Sequence, residues 1–352
     1  WILRDESTLG PKWQHAMVWQ SPQSRVVVFG GRDGSGAFTN ETLTWDDDAW
    51  VPLPAGVSPS ARADHALSDA FGLPGCDVVM FGGQTPSGGL LDDTWALQGD
   101  TWTEQLLTPR PTPRGGHTMA FDTPRQRVVL FGGFVNTPQG LAYSSETWEL
   151  LIFNSQLRWR LRTPIASPPA RFAHASAYDP LRRRVVIFGG WNSTGPLNDT
   201  WEWDGIAWTQ LSGTMPPARY YHVMYYDALL GGLVVAGGSR GSVPAEYFAD
   251  RWLLTQSGWV QLQDLEGGAR WAFGAVASPE TGQVVLAGGA TSRADTWVTT
   301  YAPVFVSQPS DQSLSSGDNL TLSAFSSGGN VTYQWFRGEQ PLSNSARIGG
   351  AT

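Results

Sequence analysis

Short runs of apolar residues, each broken off by a pair of glycines, recur along most of the chain. The segment Arg184-Val-Val-Ile-Phe-Gly-Gly190 shows the pattern most plainly. A loop follows it, then Asn198-Asp-Thr-Trp201-Glu-Trp-Asp-Gly-Ile-Ala-Trp208-Thr-Gln-Leu211. Runs of four to six β-branched and aromatic residues bounded by Gly, Asn and Asp predict short strands joined by turns, here three of them. The apolar run ends in a glycine pair six times, at Phe29-Gly30-Gly31, Phe81-Gly82-Gly83, Phe131-Gly132-Gly133, Phe188-Gly189-Gly190, Ala236-Gly237-Gly238 and Ala287-Gly288-Gly289. Successive copies are 52, 50, 57, 48 and 51 residues apart.

Other positions keep the same phase. A first strand, a, follows Arg-x-x-His at His15, His65, His117, His174 and His222, with Phe273 in that place in the sixth unit. Strand b is the apolar run. Strand c carries Trp45, Trp95, Trp148, Trp201, Trp252 and Trp297, and strand d carries Trp50, Trp102, Trp159, Trp208 and Trp259. The sixth unit lacks a d-strand tryptophan, whereas Trp1-Ile2-Leu3 stands as far before His15 as Trp102 stands, within one residue, before His117. Trp1–Leu3 is therefore expected to be the outer strand of blade six, closing a ring and sparing it an open edge. A period near 50 with four strands per unit marks an all-β, six-bladed β-propeller of four-stranded blades. The chain resembles the kelch propeller family over residues 1–301, in the version common in bacterial surface and secreted proteins.

Residues 302–352 change character. Val304–Pro309, Asn319–Ala324 and Val331–Arg337 alternate like half-buried strands. Tyr333-Gln-Trp335 resembles the middle strand of an immunoglobulin-like β-sandwich, with Trp335 as its core tryptophan. Such a domain needs about 100 residues, so the tail is expected to be its incomplete first part, and the chain a processed or partial piece.

Composition narrows the functions. The 352 residues are 15% charged with a net charge of -8, which argues against a nucleic-acid surface. No apolar run reaches the roughly 18 residues that span a bilayer. Cys76 is the only cysteine, so no internal disulfide or cysteine-rich metal site exists. The five histidines share one repeat position and are expected too far apart to converge on a metal, and no cofactor is expected. Galactose oxidase, a copper enzyme on a related propeller, needs ligands that this arrangement does not supply.

Antiparallel order brings the start of a, the end of b and the start of c to one face. Three residues before each histidine position stand Lys12, Arg62, Arg114, Arg171, Arg219 and Arg270; two before each c-strand tryptophan stand Leu43, Asp93, Glu146, Asp199, Asp250 and Asp295. One reading makes the cations a ring that binds an anionic ligand. The preferred reading is that each arginine reaches over the glycine pair to the acid, with Lys12 and Leu43 as a joint loss of both partners. Next to the cations stand Trp13, Phe172, Tyr220 and Trp271, and just after glycine pairs stand Phe134 and Trp191. This aromatic arc suits stacking on sugar rings or docking of an apolar chain; packing between blades is its structural alternative.

The expectation is an extracellular or cell-surface binding or scaffold protein with a protein or glycan partner, part of a larger assembly or a longer chain. The alternative is a carbohydrate-active enzyme, by resemblance to kelch sugar mutarotases and propeller lyases. Its acid or base would come from the b–c loops, at Tyr143, Glu246 or Tyr247.

Overall fold

Strand b is the most apolar piece of each repeat, and burial on both faces is what such a composition demands. In the computed structural model it is an inner strand of every blade, and Val27, Val28, Val78, Leu130, Ile187, Val234 and their neighbours are wholly or almost wholly inaccessible. The structure describes residues 1–241, 245–290, 293–299, 304–307, 325–327, 335–337 and 340–341.

Six four-stranded antiparallel sheets each run in the order a-b-c-d. Blade one is Ala16–Gln20, Arg25–Phe29, Thr42–Trp45 and Trp50–Pro52. Blade two is Ala66–Leu73, Cys76–Phe81, Thr94–Gln98 and Thr101–Gln105; blade three is Thr118–Asp122, Arg127–Phe131, Thr147–Phe153 and Gln156–Arg162. Blade four is Ala175–Asp179, Arg184–Phe188, Thr200–Trp203 and Trp208–Gln210. Blade five is Val223–Asp227, Gly232–Ala236, Arg251–Thr255 and Gly258–Leu262. Blade six takes a, b and c from Gly274–Ala277, Val284–Ala287 and Thr296–Val298, and d from Ile2–Asp5. Leu3 lies opposite Trp297. The N-terminal strand thus starts one residue later and runs further than the expected Trp1–Leu3. Each a strand neighbours the a strand of the next blade, and blade six returns to blade one, so the a strands surround an axis.

Two devices lock blade to blade. The second glycine of each pair donates its N–H to the carbonyl of the next blade's strand-a cation, from Gly31 to Arg62 at 2.8 Å round to Gly289 to Lys12 at 2.9 Å. Glycine is required here: Gly31 has φ +89° and a Cβ on it would lie 2.7 Å from the His15 Cβ and 2.8 Å from the Trp13 carbonyl. On the outer side, the d-strand tryptophan donates to the threonine that opens strand c of the preceding blade. The pairs are Trp50–Thr296, Trp102–Thr42, Trp159–Thr94, Trp208–Thr147 and Trp259–Thr200, at 2.8 to 3.1 Å. Blade five has Arg251 in the threonine's place, and its guanidinium lies 5.7 Å over the Trp1 ring instead.

In the tail, Val304–Ser307 pairs with Phe325–Ser327, and Phe336–Arg337 with Gln340–Pro341. Trp335 is half-buried. The expected boundary at 301/302 and most of the expected immunoglobulin-like strands lie outside the described residues.

Candidate functional site

The glycine-pair face of the ring is built in layers, starting with the cations. Arg62 holds Asp93 with two hydrogen bonds of 2.7 Å, and its Nη1 also donates to the Gly82 carbonyl at 3.0 Å. Arg171–Asp199 and Arg219–Asp250 repeat that fork at 2.6 and 2.7 Å. Arg114 holds Glu146, and Arg270 holds Asp295 at 3.0 Å. The same carboxylates accept the indole N–H of Trp95, Trp148, Trp201, Trp252 and Trp297. Each acid therefore fixes its own c strand to strand a.

Blade one corrects the expected register. Phe29 pairs with Thr42 as Phe81 pairs with Thr94, so Glu41, not Leu43, holds the acid's position, and Leu43 holds that of Trp95. Lys12 donates to Glu41 at 3.2 Å. Trp45 instead matches Trp203; each packs tilted on its d-strand tryptophan, 5.3 and 5.4 Å away. All six cations are buried and each has a carboxylate. Lys12, Arg62, Arg114, Arg171, Arg219 and Arg270 thus present no free charge at the mouth, which removes the physical basis for anion binding by this ring.

Two residues beyond each cation lies a second ring: Gln14, Asp64, Gly116, Ala173, Tyr221 and Ala272. All six have left-handed backbone, with φ between +51° and +63°. Each N–H donates to the carbonyl of the preceding member, Asp64 to Gln14, Gly116 to Asp64, onward to Ala272 to Tyr221 and Gln14 to Ala272, at 2.8 to 3.2 Å. The backbone thereby closes a hydrogen-bonded hexagon around the axis. Its side chains differ. Tyr221 reaches from blade five across to blade two, its hydroxyl donating to Asp64 Oδ1 at 3.1 Å. Gln14 and Gln84 donate to Asp64 Oδ2 at 3.1 and 2.6 Å, and Arg32 donates to Gln14 Oε1 at 3.0 Å. Burial pushes the Asp64 carboxyl up to about 6 against the pull of Tyr221, Gln84 and Arg32, and it pushes the Tyr221 phenol well above its usual range.

Beside this ring an axial cavity of about 150 Å³ is lined by its six members and by His15, His65, His117, His174, His222 and Phe273. The histidines are thus brought to one cavity, contrary to the expectation that they stand apart. Even so, no three of His, Cys, Asp or Glu among the described residues are grouped to hold a metal. Four of the rings pack edge-on against the b-strand phenylalanine of the preceding blade, as His65 does on Phe29 at 5.3 Å. Burial holds His15 and His117 down to about 3 and the others well below the usual range, so they are neutral.

The aromatic residues form a connected wall over the hexagon. Trp13 lies 6.4 Å from Trp271, Trp271 lies 5.7 Å from Tyr221, and Tyr221 lies 6.3 Å from Phe172. Phe134 packs edge-on against Phe172 at 5.7 Å, and Trp191 packs edge-on against Tyr220 at 5.0 Å. The b–c loops lay Tyr143 flat on Phe172 and Tyr247 flat on Trp271, at 5.2 and 6.0 Å. Arg32 sits between Trp13 and Phe38. A groove of about 310 Å³ runs between the loops of blades two and three, lined by Leu90, Phe134, Leu141, Tyr143 and Phe172, with Gln84 connecting it to Asp64. Glu246 is paired with Arg240 at 3.6 Å, and Tyr143 is occupied in stacking; neither approaches an unpaired strand-a cation as the enzyme reading required.

Sequence reasoning found the wall but missed Asp64, Gln14, Tyr221, Gln84 and Arg32. The usable signal was the position two beyond the cation, where Gln14, Asp64 and Tyr221 depart from small residues.

Residues 75–289 match the family model described as the KLHDC2/KLHL20/DRC7 Kelch-repeats domain. Adagio protein 3 of Arabidopsis thaliana is 30% identical over 205 residues, covering 51% of this chain and 32% of that protein. The tRNA wybutosine-synthesizing protein 4 of Aspergillus fumigatus is 28% identical over 164 residues, 44% of this chain and 15% of that protein. Multiple epidermal growth factor-like domains protein 8 of Mus musculus is 28% identical over 190 residues, 50% of this chain and 6% of that protein. The similarity thus spans a third or less of each of these relatives. With the glycine pairs, the phased tryptophans and six closed four-stranded sheets in place, the chain belongs to the kelch-repeat family.

Proposed function

We propose that this propeller is a protein-interaction module that docks a partner's extended segment across the aromatic mouth. One observation carries the reading: residues that the repeat does not explain, from Trp13 and Trp271 through Tyr221 to Phe172 and Phe134, join into one wall. Leu141, 64% exposed, and Tyr247, 42% exposed, flank it with apolar surface that the fold itself leaves uncovered. Kelch-family membership supports a protein partner over a glycan. The immunoglobulin-like pattern of the tail supports a cell-surface setting as part of the same proposal.

The test is cross-linking at the mouth against a control face. A photo-reactive residue placed at Leu141 should trap a partner, and that product should disappear in the double variant Phe172→Ala, Trp271→Ala. The same residue at Leu230, in the a–b hairpin at the other end of blade five, should trap nothing comparable. A partner trapped equally from both positions, or unaffected by the double variant, would overturn the proposal.

A further inference from the structure

We infer that the axial cavity takes the ammonium or guanidinium head of a lysine or arginine side chain from the docked partner, with Asp64 as its counter-charge. This rests on the mouth being the docking face and names what enters at its centre. Asp64 is the one carboxylate lining the cavity, and no ion pair engages it among the described residues. A carboxylate offers about four acceptor positions. Oδ2 accepts two hydrogen bonds and Oδ1 only one, from Tyr221, which leaves a lobe of Oδ1 open.

The position is costly for an acid. Asp64 is 7% exposed and sits at φ +56°, where Gly116 does the same backbone work without a side chain. Charge neighbours favour a cation over an anion. The six strand-a cations are neutralised by their own carboxylates. Arg32 is held between two rings and donates to Gln14 and to the Gly36 carbonyl. The histidines are neutral and repel nothing.

Shape agrees with charge. Two hexagon side chains, Ala173 and Ala272, end at Cβ, so a slender stem would pass beside them; Gly116 lies under the Phe134 and Phe172 rings. Trp271 and Phe172 flank it with faces that suit both methylenes and a cation. The cavity of about 150 Å³ has room for several waters, or for the head and outer methylenes of one side chain.

The experiment titrates the 352-residue chain, by calorimetry and saturation-transfer NMR, with the amides of Nα-acetyl-lysine, Nα-acetyl-arginine, Nα-acetyl-norleucine and Nα-acetyl-glutamate. The basic probes should saturate in the millimolar range, and Asp64→Asn should weaken them by about tenfold or more, as loss of a charge-assisted bond does. Tyr221→Phe frees the second lobe of Oδ1 and should leave basic-probe affinity equal or a few-fold higher. Basic probes indifferent to Asp64→Asn, or weakened by Tyr221→Phe, would overturn the inference, as would tighter binding of the glutamate probe. Norleucine separates this from the docking proposal. If it binds as well as the basic probes and is lost with Trp271→Ala, the docking face stands and the cation site falls. If no probe responds to Trp271→Ala, both fall.

Discussion

The cation ring, Lys12 to Arg270, and the hexagon two residues beyond it, Gln14 to Ala272, stand at the same six strand entries. The first is nearly uniform in sequence, buried and neutral. The second is uniform only in backbone: one φ value, one hydrogen-bond pattern and side chains from Gly to Tyr. The difference shows how a repeat divides its labour. A position whose side chain makes the same contact in every blade cannot also recognise a ligand. A position fixed by backbone alone leaves its side chains free to differ, and Asp64, Gln14 and Tyr221 use that freedom.

Breaking the uniform ring should have the largest effect. Arg171→Leu strips the buried guanidinium from Asp199, the Gly189 carbonyl and the Pro169 carbonyl together. Removing one partner of a buried pair costs about 3–5 kcal/mol, and denaturant unfolding should show it. A stability equal to that of wild type would erase the contrast between the rings.

Asp64→Asn should act in the other direction and depend on pH. The folded carboxyl titrates near 6, above its ordinary 3.8, so its protonated form is favoured by folding. Stability from this group is complete below pH 3.8 and is lost as pH rises through 6, by up to about 3 kcal/mol. The variant should therefore match wild type near pH 4 and exceed it at pH 7 in thermal melts. The histidines act with opposite sign, their stability being lost as pH falls below 6.5; they are common to both proteins and cancel in the difference. A difference that does not change with pH would mean that Asp64 is not an unneutralised buried charge.

The smallest effect sharpens the backbone half of the comparison. Ala173 holds φ +51° and its side chain is buried without a polar partner. Ala173→Gly should gain up to about 1 kcal/mol, since left-handed backbone strains an L-residue by about 1–2 kcal/mol and glycine's extra chain entropy returns part of that. A loss of stability would show that the hexagon depends on its side chains after all.

Much of the blade was legible in the residues. Glycine pairs, histidines and tryptophans at a fixed period can hardly be satisfied by another architecture, because each reports one contact repeated within or between blades. The error in blade one has a physical reason as well. Trp45 sits two residues beyond Leu43, and a two-residue slip in a strand keeps every side chain on its face, so periodicity cannot detect it. The ladder to Phe29 does, and it restores Glu41 to Lys12. The hexagon was hidden for a different reason: Gly116 and Asp64 are residue types at home at positive φ, but Gln14, Ala173, Tyr221 and Ala272 are not. Tyr221 also stands next to Tyr220, which carried the expected aromatic role, and its reach across the axis to Asp64 joins residues that the repeat places in opposite blades.

The pairing of Ile2–Asp5 with Thr296–Val298 sets an order of events during synthesis. The first strand of the propeller to be synthesised has its partner in the last blade, and contacts so distant in sequence are the slowest to form. Gly289 to Lys12, and Gln14 to Ala272, belong to that same final junction. A growing chain can hold five blades as an open crescent, yet neither ring around the mouth is complete until its two ends meet. The proposed recognition at the axis would therefore begin only when folding ends, and a chain stalled before blade six would lack the site.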